Sequence, residues 1–291
     1  MLICWTFWHF SRFVATRFDE GQFQLRRSNI SKEQTLAIAM GLVAAVAWSA
    51  DAVIKPQVKD FDMSDYKLAW SDEFDGAKLD LDKWDYRTDN KMHSTQKPEN
   101  VSVADGKLIL HLKKEEAGKM HCTGAGVISK RTFKYGYYEA RLKTPPGSGW
   151  HTSFWMQKHD GSGTTAIKQA FQELDVIEND SNGPDSYDVA VHRWKTPYKS
   201  FDGKKVWTPN HEKLSDDFHT FGCEFTPLTI KYFFDGNLVQ TVNVSVIEHN
   251  DQNIWLTSIA MRTGGNKGVD DSKLPATAEF EYVRFFEPAG N

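Results

Sequence analysis

Cysteine is scarce in this chain. Three occur among 291 residues, at Cys4, Cys122 and Cys223, and no CxxC or similar metal-type spacing is present. That excludes a zinc-ribbon scaffold and a domain stapled by several disulfides. Cys4 falls in a segment read below as outside the mature domain. Cys122 and Cys223 then remain as two buried thiols or as one disulfide of an oxidising compartment. Positive charge is not in excess: 35 Lys and Arg stand against 39 Asp and Glu, a net charge of −4. No nucleic-acid partner is expected, because such partners draw on a basic surplus. A polyanionic ligand would require a local basic patch. Membrane-length apolar runs are also missing. The run TLAIAMGLVAAVA, from Thr35 to Ala47, has 13 residues, short of the ~20 that span a bilayer. Beyond residue 52 there is no long helical period, and beyond residue 66 no internal repeat, linker or low-complexity tract. These absences exclude coiled coils and solenoids.

The apolar run is nevertheless meaningful. Arg26, Arg27 and Lys32 precede it, and the small-x-small sites Ala45-Val46-Ala47 and Ala50-Asp51-Ala52 follow. Positive region, short apolar region and small-residue site describe a secretory signal within residues 35–50. Residues 1–52 are therefore read as an N-terminal extension plus signal peptide. Met1 to Leu25 carries Trp5, Phe7, Trp8, Phe10 and Phe13 without a clear period, so translation is expected to start nearer Leu25 or Ile30. Residues 53–66 form a short polar lead and 67–291 the working domain. The expected mature protein is extracellular or periplasmic, free of the membrane and monomeric.

The domain reads as strand after strand. Leu108, Leu110 and Leu112 alternate with polar residues after the turn signal Asp105-Gly106. Tyr135–Lys143, Thr152–Gln157, Phe171–Asn179, Val189–Trp194, Ile254–Ala260 and Ala278–Phe286 continue the series. Thr229–Phe234, Asp235-Gly236 and Leu238–Asn243 make a hairpin. Many strands with closely spaced turns imply an all-β domain, either a two-sheet sandwich or a barrel. Ten Trp serve such a domain in its core or as flat faces lining a groove.

One segment concentrates acid: Glu173-Leu174-Asp175-Val176-Ile177-Glu178. In a strand, Glu173 and Asp175 share a face, and Glu178, five residues from Glu173, points away. A β-bulge at Val176-Ile177 would return it. Three carboxyls in a row repel and raise one another's pKa. Glycoside hydrolysis uses such an arrangement, with one carboxylate as nucleophile and one carboxyl as acid/base. A solvated acidic face or a calcium site would use the same oxygens.

Further segments bring a resemblance. Trp70-Ser-Asp-Glu-Phe-Asp-Gly76 with Leu79-Asp80 and Lys83-Trp84, Gly136–Lys143, Gly149-Trp150 with Phe154-Trp155-Met156, Ile230–Gly236 and Tyr282-Val283-Arg284 resemble, in order, the strands of glycoside hydrolase family 16. Glu173–Glu178 is similar to its bulged signature, glutamate-x-aspartate-x-x-glutamate. The likeness runs from about Leu68 to Glu287. It implies a β-jelly-roll sandwich of two antiparallel sheets with a concave substrate cleft. It also implies retaining, endo-acting hydrolysis of β-linked polysaccharide, with Glu173 as nucleophile, Asp175 as assisting acid and Glu178 as acid/base. The expected substrate is a β-1,3-glucan of laminarin type; the alternatives are algal or other galactans, or a non-catalytic jelly-roll lectin. Trp150, Trp155, His192, Trp194, Arg87 and Arg262 are the candidate sugar contacts. Asn179 is read as structural, and Trp70 and Trp84 as core. No cofactor is required. A structural calcium stays open, with Glu281 standing where some members carry an aspartate. Trp150-His151-Thr152-Ser153 departs from the laminarinase pattern tryptophan-proline-alanine. Leu256–Thr263 likewise departs from the stretch usually rich in asparagine and glycine.

Overall fold

A computed structural model describes residues 54–159, 161, 172–194, 199–261 and 268–290 (backbone alone for 199–201), with the backbone of two short strands nearer the N-terminus. The chain divides into two units, 1–54 and 55–291. In the first, β1 (Val14–Ala15) pairs antiparallel with β2 (Leu25–Arg26). The signal-like run at 35–50 lies outside the described residues.

The second unit holds β3 (Tyr66–Asp72), β4 (Trp84–Tyr86), β5 (Asn90–Lys91), β6 (Ser94–Gln96), β7 (Val101–Ala104), β8 (Lys107–Ala117) and β9 (Met120–Phe133). It continues with β10 (Gly136–Lys143), β11 (Trp150–Gln157), β12 (Gln172–Asp180), β13 (Ser186–Arg193), β14 (Lys199–Trp207) and β15 (His219–Phe225). The last strands are β16 (Thr229–Phe234), β17 (Asn237–Asn243), β18 (Gln252–Ala260) and β19 (Ala276–Pro288). One sheet runs β4–β9–β18–β11–β12–β13–β14. The other is organised on β19, with β3 and β8 along one side and β10, β15, β16 and β17 in order along the other. Both are antiparallel, and together they form the jelly-roll sandwich expected from the sequence.

Alternation explains why the sheets stack. Phe154, Met156, Leu174, Val191 and Leu256 of the first sheet share one fully buried cluster with Leu108, Leu110, Tyr138, Phe221 and Phe280 of the second. Each strand hides every second side chain in that layer. Turn chemistry closes the hairpins. Asp105 (φ 52°) and Gly106 (φ 69°), then Asp235 (φ 45°) and Gly236 (φ 78°), supply the paired positive φ values of a type I′ turn. The polar lead docks on the domain: Lys59 N–H donates to Gly236 O at 2.7 Å and Gln57 N–H to the buried Glu139 at 2.6 Å.

Three strands carry no alternation in the sequence. β9, the longest at 14 residues, is buried without a break from Cys122 to Lys130's neighbour Ser129. β15 is buried throughout, and β14 reads as mostly polar. β9 and β15 are covered on both faces, and such strands show no contrast of period two, whereas β14 is exposed apart from Val206 among its described side chains. Cys122 and Cys223 are both free and buried, in separate clusters, so the thiol reading holds over the disulfide. Burial pushes both thiols up.

The main core makes a direct test. Phe154→Ala should cost about 3–5 kcal/mol, seen as a lower midpoint in denaturant unfolding with an unchanged slope.

Candidate active site

The site is a consequence of register. β11 presents Ser153, Trp155 and Gln157 on one face, and these stand opposite Glu178, Asp175 and Glu173 of β12. The pairing slips between Phe154 and Trp155, which leaves Val176 without a partner on β11. On the other side of β12, Glu173, Asp175 and Glu178 face His192, Ala190 and Asp188 of β13, with the break between Asp175 and Glu178. The bulge thus lies at Val176-Ile177. Both bulge residues are sunk in the core, at 1% and 0% exposure. Apolar burial of two consecutive residues is what turns Glu178 back to the face of Glu173.

The three acids line a recess of about 200 Å³ together with His151, Trp155 and Trp194. Their environments differ. Asp175 is 1% exposed and Glu178 31%, so Glu178 reaches the open cleft and Asp175 acts from beneath it. Glu173 Oε2 accepts from Trp194 Nε1 at 3.0 Å and from Gln157 Nε2. Asp175 Oδ2 lies 3.1 Å from His192 Nε2. Glu178 Oε1 lies 3.0 Å from His151 Nε2.

Charge follows from these surroundings. Burial and then the Asp175 charge push Glu173 well above the usual carboxylate range. Burial and the Glu178 charge do the same to Asp175. Glu178 moves the other way. Burial raises it, but the hydrogen bond and charge of His151 outweigh that, and it sits below its ordinary value. Burial thus favours the neutral forms of Glu173 and Asp175, while His151 favours the charged form of Glu178. Glu173, Asp175 and His192 bring ligand atoms within 4.8 Å of one another, a mixed oxygen and nitrogen set rather than the all-oxygen set calcium favours. Glu281 is engaged by Arg141.

The remaining candidates separate. Trp155 lies on the cleft floor, stacked on Trp255 at 4.7 Å, with Nε1 donating to Thr257 Oγ1 at 3.1 Å. His192 and Trp194 stack beside the acids at 5.7 Å. Arg87 faces the same cleft, but Asp89 holds its guanidinium through two bonds of 2.8 and 3.1 Å, and it is 3% exposed. It packs under Trp155 and Trp255, where Gly126 leaves room: a Cβ there would lie 3.2 Å from the Arg87 side chain. Arg87 is thus a brace of the floor. Trp150 is 1% exposed and belongs to a separate buried cluster with Leu112, Cys122, Ala260 and Ala276. Its ring packs in that cluster and does not face the acids, a correction to the stacking role. β11 turns alternate residues inward, and Trp150 falls in the inward set with Thr152 and Phe154. Arg262 lies outside the described residues. Asn179 is buried and donates to Ser186 O at 2.8 Å, Trp84 is fully buried, and Trp70 packs against the core. Sequence reading missed His151 and Gln157 as partners of the acids. Both sit at alternate positions with Trp155, a signal available once β11 was placed.

Two stacked sheets and a face of three converging carboxyls beside indole rings are the layout of a polysaccharide-cleaving glycoside hydrolase. The family profile described as Beta-porphyranase A-D, GH16 domain matches residues 67–281, and the chain belongs to glycoside hydrolase family 16. It is 31% identical to beta-porphyranase B of Phocaeicola plebeius, over 60% of this chain and 66% of that protein. It is 27% identical to glucan endo-1,3-beta-glucosidase A1 of Niallia circulans over 76% of itself, but spans only 38% of that protein's length. The laminarinase structure from Rhodothermus marinus superposes with a TM-score of 0.65 at 25% identity, covering 76% of this chain and 97% of that one.

The raised Glu173 has a cost in stability. Its folded value exceeds the ordinary 4.5, so the native state binds the proton more tightly than the unfolded chain. The stability this contributes is fully present below pH 4.5 and is lost as pH rises through the raised value. Glu173→Gln should remove that loss. Thermal melts should show the variant matching wild type near pH 4 and exceeding it by several degrees at pH 7–8.

Proposed function

We propose that the protein is a retaining, endo-acting hydrolase of β-linked galactans bearing anionic substituents. The observation that carries hydrolysis is the bulged face on which Glu173, Asp175 and Glu178 are aligned. Glu173 attacks the anomeric carbon as the glycosidic bond breaks, and Glu178 gives its proton to the departing oxygen. Water then gives a proton to Glu178 and displaces Glu173 from the sugar. Asp175, beneath them, holds a proton between the two and limits their repulsion. Trp155 and Trp194 offer indole surface at the recess.

The galactan reading is supported by the match to the porphyranase profile and by charge. A second recess, which shares Met261 with the first, is lined by His93, Lys114, Lys119 and His121 against the single acid Asp271. Lys114 there is paired with Asp271 and His121 with Glu116, so the support this recess gives to a polyanion rests on Lys119. A β-1,3-glucan is the second reading, favoured by the endo-1,3-beta-glucosidase relative. A lectin has no use for the bulge that restores Glu178. Export rests on the signal-like run at 35–50.

A panel of laminarin, lichenan, agarose, porphyran, carrageenan and galactan, followed by reducing-end release, tests the reading. Release from a galactan member is expected, and Glu173→Gln should lose it by at least a thousandfold while still binding the polymer. Release from laminarin or lichenan alone would replace galactan by glucan. Full activity in Glu173→Gln would remove the nucleophile assignment.

A further inference from the structure

His151 stands where the laminarinase pattern has proline, and it lies outside the three acids of the proposed mechanism. Its side chain, 15% exposed, reaches along β11 so that Nε2 lies 3.0 Å from Glu178 Oε1. Its other nitrogen, Nδ1, is buried without a hydrogen-bond partner among the described residues. A hydrogen on Nδ1 would be buried with no acceptor, a costly arrangement. The ring therefore carries its hydrogen on Nε2 and donates it to the carboxylate.

We propose that His151 is a positioning residue for the acid/base: its Nε2–H anchors the Glu178 carboxylate and biases it toward the base form. The proposal rests on the reading of Glu178 as acid/base. In the first half of the reaction Glu178 must hold a proton and give it to the glycosidic oxygen. In the second it must be a carboxylate that takes a proton from water. A donor fixed on Oε1 stabilises the second state and leaves Oε2 for substrate. The cost falls on the first half, so activity is confined to lower pH than an unanchored Glu178 would allow.

The other groups around Glu178 do not supply this donor. Asp175 precedes it on β12 and is itself a carboxyl, with no N–H to offer. Asp188 stands opposite it on β13, with Lys205 of β14 3.3 Å away. His192 sits on Asp175 and reaches Glu178 through charge, while Arg87, held by Asp89, and Lys91 line the same recess. Asp180, opposite His151 in register, accepts from Asn182 N–H at 3.2 Å. On β11, Ser153 faces Glu178. Among the described residues, the nitrogen within hydrogen-bond distance of Glu178 is His151 Nε2.

The test compares wild type, His151→Ala and His151→Gln. Gln places an amide N–H where Nε2 lies and keeps the donor. The pH dependence of kcat/KM on the polysaccharide that wild type cleaves gives the first readout. The alkaline limb should move up by about one pH unit in His151→Ala and stay near wild type in His151→Gln. A purely structural loss would lower activity at every pH without moving the limb. The second readout needs no turnover: carbon-13 NMR titration of the Glu178 carboxyl, assigned by loss of the signal in Glu178→Gln. It should titrate higher in His151→Ala than in the other two. An unmoved Glu178 titration overturns the proposal, as does a His151→Gln variant that behaves like His151→Ala. A moved titration with an unmoved limb supports the His151 anchor and overturns the acid/base role of Glu178 instead.

Discussion

The bulge in β12 is the constraint on which the site depends. Val176 and Ile177 are consecutive, apolar and both buried in the layer between the sheets. A regular strand would have sent one of them into the cleft and Glu178 into the core. An unpaired carboxylate in an apolar core costs several kcal/mol, and burying two aliphatic side chains gains about 1.5–3 kcal/mol each. The same hydrophobic preference that stacks the sheets therefore also sets the catalytic register. Fold and site share one cause at this point.

The neighbours of β12 then differentiate three acids of similar chemistry. β11 brings Gln157 to Glu173 and His151 to Glu178, while β13 brings His192 to Asp175. Burial is deep at Asp175 and shallow at Glu178. These surroundings push Glu173 and Asp175 above the usual carboxylate range and hold Glu178 below it. Beneath, Trp155 and Trp255 stack over the Arg87–Asp89 pair, a stiff floor that keeps the strands carrying the acids in place.

Much of this was legible in the sequence because it depended on period. The alternation of Leu108, Leu110 and Leu112 fixed β8, and the Asp-Gly pairs marked two hairpins that the positive φ values confirm. The spacing of Glu173, Asp175 and Glu178 required a bulge, and it lies at the two residues expected. What was not legible lacked that contrast. β9 is buried along most of its length and interrupted by Gly124 and Gly126, so its sequence resembles no amphipathic strand. The family resemblance of the strand before the acids names Trp150 with Trp155 as a sugar contact, but five residues along a strand reverse the face. His151 registered only as a departure from a pattern, since a side chain's partner across a sheet depends on a register that no single strand discloses.

The bulge sets Glu178 beside Glu173, and in the proposed mechanism Glu173 is then the group that bonds to sugar. Mass spectrometry of the protein after reaction with a 2-fluoro glycoside carrying a good leaving group and the preferred sugar tests it directly. The expected result is one covalent glycosyl adduct, mapped by peptide fragmentation to Glu173. An adduct on Asp175 or Glu178, or hydrolysis with inversion and no adduct, would contradict it.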